Sequence, residues 1–169
     1  VECICINCEP TGEFAHNPEP LPSNLVELSE AVKTNGADLG ISVDPDVDRL
    51  ALICEDGQPF GEEYTLVSVA DYLLSRAYNE ALTTGKSLEE VVAPYAMTTS
   101  SNLSSSRALR DVTEQYGGEY FAAAVGEVNV TTKMKECCAL IGGEGNGGVI
   151  YPALHYGRDA MVGVRFSHF

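Results

Sequence analysis

Tryptophan is absent from this chain of 169 residues, histidine occurs three times, and cations are scarce, with 10 Lys and Arg against 25 Asp and Glu. The resulting formal charge of −15 repels nucleic acid phosphates and anionic lipid surfaces, which argues against both as partners. A phosphorylated small molecule is still admissible, because a few cations or a metal can reverse the sign locally. No apolar run is long enough to cross a bilayer, and no secretory signal is visible. The six cysteines fall partly into two clusters, Cys3, Cys5 and Cys8 in "VECICINC" and Cys137 and Cys138 in "KECCAL". Neither has zinc-finger spacing, and adjacent cysteines rarely pair. The expectation is buried or half-buried free thiols in a reducing cytoplasm. Hydrophobic residues, at 44%, suffice for one ordinary domain or two small ones.

Along the chain, "VECICIN" reads as a short buried strand, followed by a stiff loop carrying Pro10, Pro18, Pro20 and Pro22. Ser23 is placed to N-cap a helix over "NLVELSEAVKTNG" that Gly36 stops. "ADLGISV" and "RLALICED" read as strands on either side of an acidic loop. Leu66, Val69, Ala70, Leu73 and Leu74 form one apolar face of a long helix starting at "GEEYTL". Beyond "TTGKS" the pattern predicts strand "VVAPYAM", loop "TTSS", helix "NLSSSRALRDVTEQYG", strand "EYFAAAV", helix "VTTKMKECC", strands "ALIGGE" and "GVIYP", and a closing helix in "DAMVGVRFSHF". Alternating strands and helices argue for an α/β fold with parallel or mixed sheets and helices on their faces.

The acidic loop is "ISVDPDVDRLAL". Alternate residues of an extended segment share a side, so Asp44, Asp46 and Asp48 can converge. Converging carboxylates repel one another unless a cation lies between them, and hard oxygen ligands suit Mg²⁺. Pro45 stiffens the loop. An EF-hand is a poor alternative, since its sixth position needs glycine and here is Arg49. An arginine beside a cation is unfavourable unless an anion is also present, and a phosphate shared by metal and guanidinium satisfies both. A solvated acidic turn is the plain alternative. A second candidate loop is "GGEGNGG". Glu144 can accept from two sugar hydroxyls, Asn146 can donate and accept, and the glycines let backbone approach a ligand, with a flexible glycine-rich turn as the plain alternative.

These segments resemble a known family. "ADLGISVDPDVDRLAL" is similar to the metal loop of the α-D-phosphohexomutases, and "FAHNPEPLPSNLVEL" to the segment before it. "AAAVGEVNVTTKM" and "IGGEGNGGVIYPALHYGRDAMVG" resemble the family's third-domain segments around its sugar loop. The resemblance implies two three-layer α/β/α units with mixed sheets, of the kind forming the second and third of the family's four domains. Residues 1–61 would be most of the second domain, and 62–169 nearly all of the third. It also implies interconversion of 1-phospho and 6-phospho sugars through a bisphosphate. Asp44, Asp46 and Asp48 would be Mg²⁺ ligands, Arg49 would contact the transferring phosphate, and Glu144, Asn146, His155 and Arg158 would serve the sugar.

Many relatives have serine where Asn146 stands and histidine where Gly148 stands. His155 and Arg158 are offered as replacements for that histidine, or else as ordinary surface residues. Glu127 stands where acidic residues occur in phosphoglucosamine-type enzymes, which favours a hexosamine over a plain hexose phosphate. Ser100 and Ser101 are not the phosphorylated nucleophile, which belongs to the first domain. The first and fourth domains are expected as partners outside this chain, which alone is expected to be inactive. A Mg²⁺- or sugar-phosphate-binding module without chemistry, and a haloacid-dehalogenase-like phosphatase, are the competing readings.

Overall fold

The computed structural model describes residues 2–167. A one-turn 3₁₀ helix, Pro22–Asn24, leads into α1 (Val26–Asn35), which packs on an antiparallel hairpin of β1 (Leu39–Val43) and β2 (Leu50–Cys54). Then come the long α2 (Glu62–Thr84), α3 (Leu88–Val92), β3 (Ala96–Asn102), α4 (Ala108–Gln115), β4 (Glu119–Ala123), α5 (Glu127–Glu136), β5 (Ala139–Glu144), β6 (Gly148–Ile150) and α6 (Ala160–Phe166). The second sheet is mixed, in the order β4-β3-β5-β6, with β3 parallel to β4 and β5, and β6 antiparallel to β5.

The apolar stripe of α2 is buried as its spacing demands: Leu66, Val69, Ala70, Leu73 and Leu74 join Leu109, Ile141 and Val149 in the main core. Gly36 caps α1 in the left-handed conformation, as its position predicts. Asp159 caps α6 by accepting from the amides of Met161 and Val162. The last two residues of the expected closing helix lie outside the described residues.

Several local expectations fail. The described residues of "VECICIN", 2–7, form no strand; Ile4, Cys5 and Phe14 instead line an open cavity of about 640 Å³ together with Ile41 of β1. Cys3, Cys5 and Cys8 are exposed rather than buried, as is Cys138, while Cys54 and Cys137 are half-buried. Ser23 does not cap α1, because Pro22 starts a 3₁₀ turn that places Leu25 at the cap. The strand expected at "VVAPYAM" is split. Ser87 and Glu90 form a reciprocal capping box that makes Leu88–Val92 a helix, so β3 begins at Ala96 and takes in the "TTSS" expected as a loop. That polar strand tolerates burial because three of its four hydroxyls find partners: Thr99 meets Thr113 at 2.6 Å, Ser101 meets Tyr120 at 3.0 Å, and Thr98 donates to the Cys137 carbonyl at 3.0 Å, whereas Ser100 Oγ is buried without one.

The hairpin is joined to the second sheet by backbone. Leu50 N–H donates to Gly147 O at 3.1 Å, Ala160 N–H donates to Val47 O at 3.0 Å, and Arg49 bridges to Gly148. Leu50 and Leu52 pack with Ala160 beneath these bonds. The acidic loop, residues 44–49, is therefore a hairpin connection laid against the glycine-rich loop between β5 and β6.

Candidate functional site

The acidic loop is built around Asp44, whose residue is 2% exposed. Its Oδ1 accepts from the amides of Asp48 and Arg49, both at 3.0 Å, and its Oδ2 accepts from Arg49 Nε at 2.7 Å. Burial works to raise the Asp44 pKa, but these bonds outweigh it and hold the carboxyl below its ordinary range. Val47 sits at a φ of 59°, a left-handed conformation that is costly for a β-branched residue. Its amide donates back to Asp44 O and its carbonyl takes the Ala160 amide, both at 3.0 Å. The surrounding bonds thus keep a strained loop in one shape, a pattern that clusters at binding sites.

Asp44, Asp46 and Asp48 each offer a carboxylate oxygen, and these atoms lie within 4.8 Å of one another. Asp46 is exposed, whereas Asp48 is half-buried. Asp48 Oδ1 is buried without a hydrogen-bond partner, and Arg49 Nε stands 3.6 Å from it, beyond hydrogen-bonding reach. Burial, the bond with Asp44 and the charges of Asp44 and Asp46 push the Asp48 carboxyl up to about 6, against the lowering influence of Arg158. Three hard oxygen donors, one of them an unsatisfied buried lone-pair site, fit a small divalent cation.

Arg49 is already saturated with carboxylates. Besides Asp44, Nη1 pairs closely with Glu19 Oε1, and Nη2 lies 3.4 Å from Glu19 Oε2. The Glu19 bond leads the influences that raise the Arg49 pKa. Glu19 is held between Pro18 and Pro20, and its carbonyl accepts from Asn24 Nδ2 at 2.9 Å. The proline-rich loop therefore presents one carboxylate to the guanidinium face where a phosphate is expected.

On the other loop Glu144 is 6% exposed. Its Oε1 accepts from Asn102 Nδ2 at 2.6 Å and its Oε2 from Arg158 Nη1 at 2.9 Å. Asn102 Oδ1 in turn accepts from Ser104 and Ser105, and Ser105 Oγ accepts the Gly145 amide at 2.8 Å. Asn102→Ala removes a charge-assisted buried bond and is expected to cost about 2 kcal/mol in urea denaturation. Asn102→Asp, which sets a second carboxylate against Glu144, should cost more, and the reverse order would contradict this geometry.

The structure thus brings Asp44, Asp46, Asp48, Arg49, Glu144 and Arg158 into one connected cluster. Asn146 bonds within its own loop, its Oδ1 accepting the Gly148 amide at 3.3 Å. His155 is exposed, and its ring nitrogens engage Asp159 Oδ2 and the Gly157 amide, each at 3.0 Å, rather than the cluster. Sequence reasoning missed Glu19, Asn102 and Ser105. Only Glu19 carried a local signal, as a carboxylate fixed between two prolines upstream of an acidic loop.

Comparison with known proteins gives consistent matches along the chain. The family described as phosphoglucomutase/phosphomannomutase, alpha/beta/alpha domain II, matches residues 1–57, and the corresponding domain III matches residues 63–165. A phosphoglucomutase/phosphomannomutase of Thermococcus kodakarensis is 34% identical over 94% of this chain and 31% of its own length. A probable phosphoglucosamine mutase of Methanopyrus kandleri is 33% identical over 95% of this chain and 32% of its own. The chain thus spans about a third of the length of these relatives. Among solved structures, a phosphoglucomutase/phosphomannomutase family protein of Burkholderia thailandensis aligns with a TM-score of 0.70 at 27% identity, covering 88% of this chain and 29% of that one. A putative phosphomannomutase of Thermus thermophilus shares the fold, with a TM-score of 0.73 at 22% identity, covering 89% of this chain and 31% of that one. Among the described residues, no helix is long and apolar enough to cross a membrane.

Proposed function

The chain belongs to the phosphoglucomutase/phosphomannomutase family, and from that premise we propose that it supplies the cation loop and the sugar loop of a phosphohexomutase. In this proposal the enzyme interconverts 1-phospho and 6-phospho sugars through a bisphosphate, with the phosphoserine and the remaining phosphate-binding loop contributed by other domains. The observation that carries it is Asp48, which joins two further carboxylates yet leaves a buried oxygen without a hydrogen bond. Asp44, Asp46 and Asp48 would hold Mg²⁺, which when bound neutralises charge on phosphoryl oxygens.

The chain's own side chains then have distinct tasks. Asp44 fixes the loop and aims Arg49. Arg49 offers a planar fork to a phosphate, which exchanges one anion for another by displacing Glu19. Glu144, held from both sides, is a fixed acceptor for sugar hydroxyls, which orients the sugar in the cleft. Glu127, beside Arg158 at the foot of the same loop, favours a hexosamine phosphate, with hexose phosphates as the alternative substrates.

Asp46→Asn tests the proposal, since an exposed residue can be changed without disturbing the core. It should weaken Mn²⁺ or Mg²⁺ binding about tenfold, the equivalent of ~1.4 kcal/mol, with an unchanged denaturation midpoint. Cation affinity indifferent to Asp46 would remove the loop from the reaction. In the polypeptide carrying all its domains, the same change should slow interconversion of glucosamine, glucose or mannose phosphates followed by phosphorus NMR.

A further inference from the structure

Arg158 reaches both loops. With a side chain 18% exposed, it pairs closely through Nη2 with Asp48 Oδ2, while Nη1 donates to Glu144 Oε2 at 2.9 Å. Nε stands 3.3 Å from Glu127 Oε2 but is buried and makes no hydrogen bond. Its amide donates to Glu127 Oε1 at 3.1 Å. One guanidinium is therefore shared among three carboxylates from the acidic loop, the end of β5 and the start of α5. Its path exists only because residue 148 is glycine: a Cβ there would lie 2.5 Å from Arg158 Cδ.

Resting on the cation-loop reading above, we propose that Arg158 is the resident counter-cation of the acidic loop and makes cation binding and sugar-phosphate binding depend on each other. While Arg158 holds Asp48, it neutralises part of the loop's charge and repels an incoming divalent ion. An anionic sugar bound at Glu144 draws the guanidinium toward its phosphate and away from Asp48. The acidic loop then regains its full attraction for the cation. By linkage, the cation favours the sugar phosphate by the same factor. The repulsion between a guanidinium and a divalent ion bound to the same carboxylate outweighs the cost of ordering that carboxylate's rotamer. Deleting the cation therefore tightens metal binding, which loss of a purely structural strut would not do.

Mn²⁺ binding to the chain, followed by loss of the free-ion electron paramagnetic resonance signal at pH 8, tests this with and without glucosamine 6-phosphate. Arg158→Met should bind Mn²⁺ about tenfold more tightly than the parent chain and no longer respond to the sugar phosphate. Arg158→Lys should keep both the weaker affinity and the response. Gly148→Ala, which displaces the arginine stem while keeping its charge in the chain, should also tighten binding and serves if Arg158→Met does not fold. Equal or weaker Mn²⁺ binding by Arg158→Met or Gly148→Ala, or a sugar-phosphate response that survives in either, overturns the proposal and leaves the cation loop standing. Absence of any Mn²⁺ binding by the parent chain overturns both.

Discussion

Asp44→Ala is expected to destabilise the chain by about 3–5 kcal/mol, the range for breaking a buried ion pair by removing one partner, and to abolish cation binding. The Asp44 side chain is 1% exposed and its pair with Arg49 Nε spans 2.7 Å. Truncation orphans two loop amides and the Nε of a guanidinium that is itself only 23% exposed. Each lost charge-assisted bond costs about 1.5–3 kcal/mol. The loop also loses the side-chain anchor that fixes the Asp48 and Arg49 amides, so Asp46 and Asp48 would no longer converge. Asp44→Asn, which can still accept from the two amides, should lose less stability while binding the cation poorly. Urea denaturation beside a Mn²⁺ titration separates these effects. Full stability in Asp44→Ala would mean that Arg49 and the amides find other partners and that Asp44 does not organise the loop.

The second large effect is expected at Gly147, where the glycine-rich loop meets the hairpin. Its φ of 89° is strained for any side chain, and a Cβ would stand 2.4 Å from the Leu50 carbonyl oxygen. That obstacle is backbone and cannot rotate away. Gly147→Ala must therefore break the 3.1 Å bond from Leu50 N–H to Gly147 O and push Leu50, which is 1% exposed, off Ala160. Strain and lost packing together are expected to cost about 2–4 kcal/mol. Because the same loop carries Glu144, sugar-phosphate affinity should fall with stability. A denaturation midpoint unchanged in Gly147→Ala would show that the two loops are not held together through this contact.

What could be read in advance was what repeats or alternates over a few residues. The α2 stripe follows from helical spacing of apolar side chains, and the convergence of the three aspartates follows from the two-residue period of an extended chain. The capping box at Ser87 and Glu90 is equally local, but the β-branched run beside it favours a strand and masks it. The strand expected at "VECICIN" fails for another reason. Apolar alternation states what a segment can do, whereas a ladder needs a partner edge at hydrogen-bonding distance. The pairings that organise the site lie further out of reach. Glu19 and Arg49 are 30 residues apart, and Asp48 and Arg158 are 110 apart. No periodicity encodes such pairs. Arg158 could be named as a site residue, but its grip on Asp48 and Glu144 required the fold.

The most direct test of the central claim, that residues 44–48 form a divalent-cation site facing the sugar loop, is paramagnetic broadening by Mn²⁺ in the amide spectrum of the isotope-labelled chain. Weak binding suffices, because broadening reports proximity at low occupancy. The account predicts selective loss of the amides of 44–49, 144–148 and 158, reversal by excess Mg²⁺, and a need for about tenfold more Mn²⁺ to reach the same loss in Asp46→Asn. Diffuse broadening over the acidic surface, unaffected by Asp46→Asn, would contradict it.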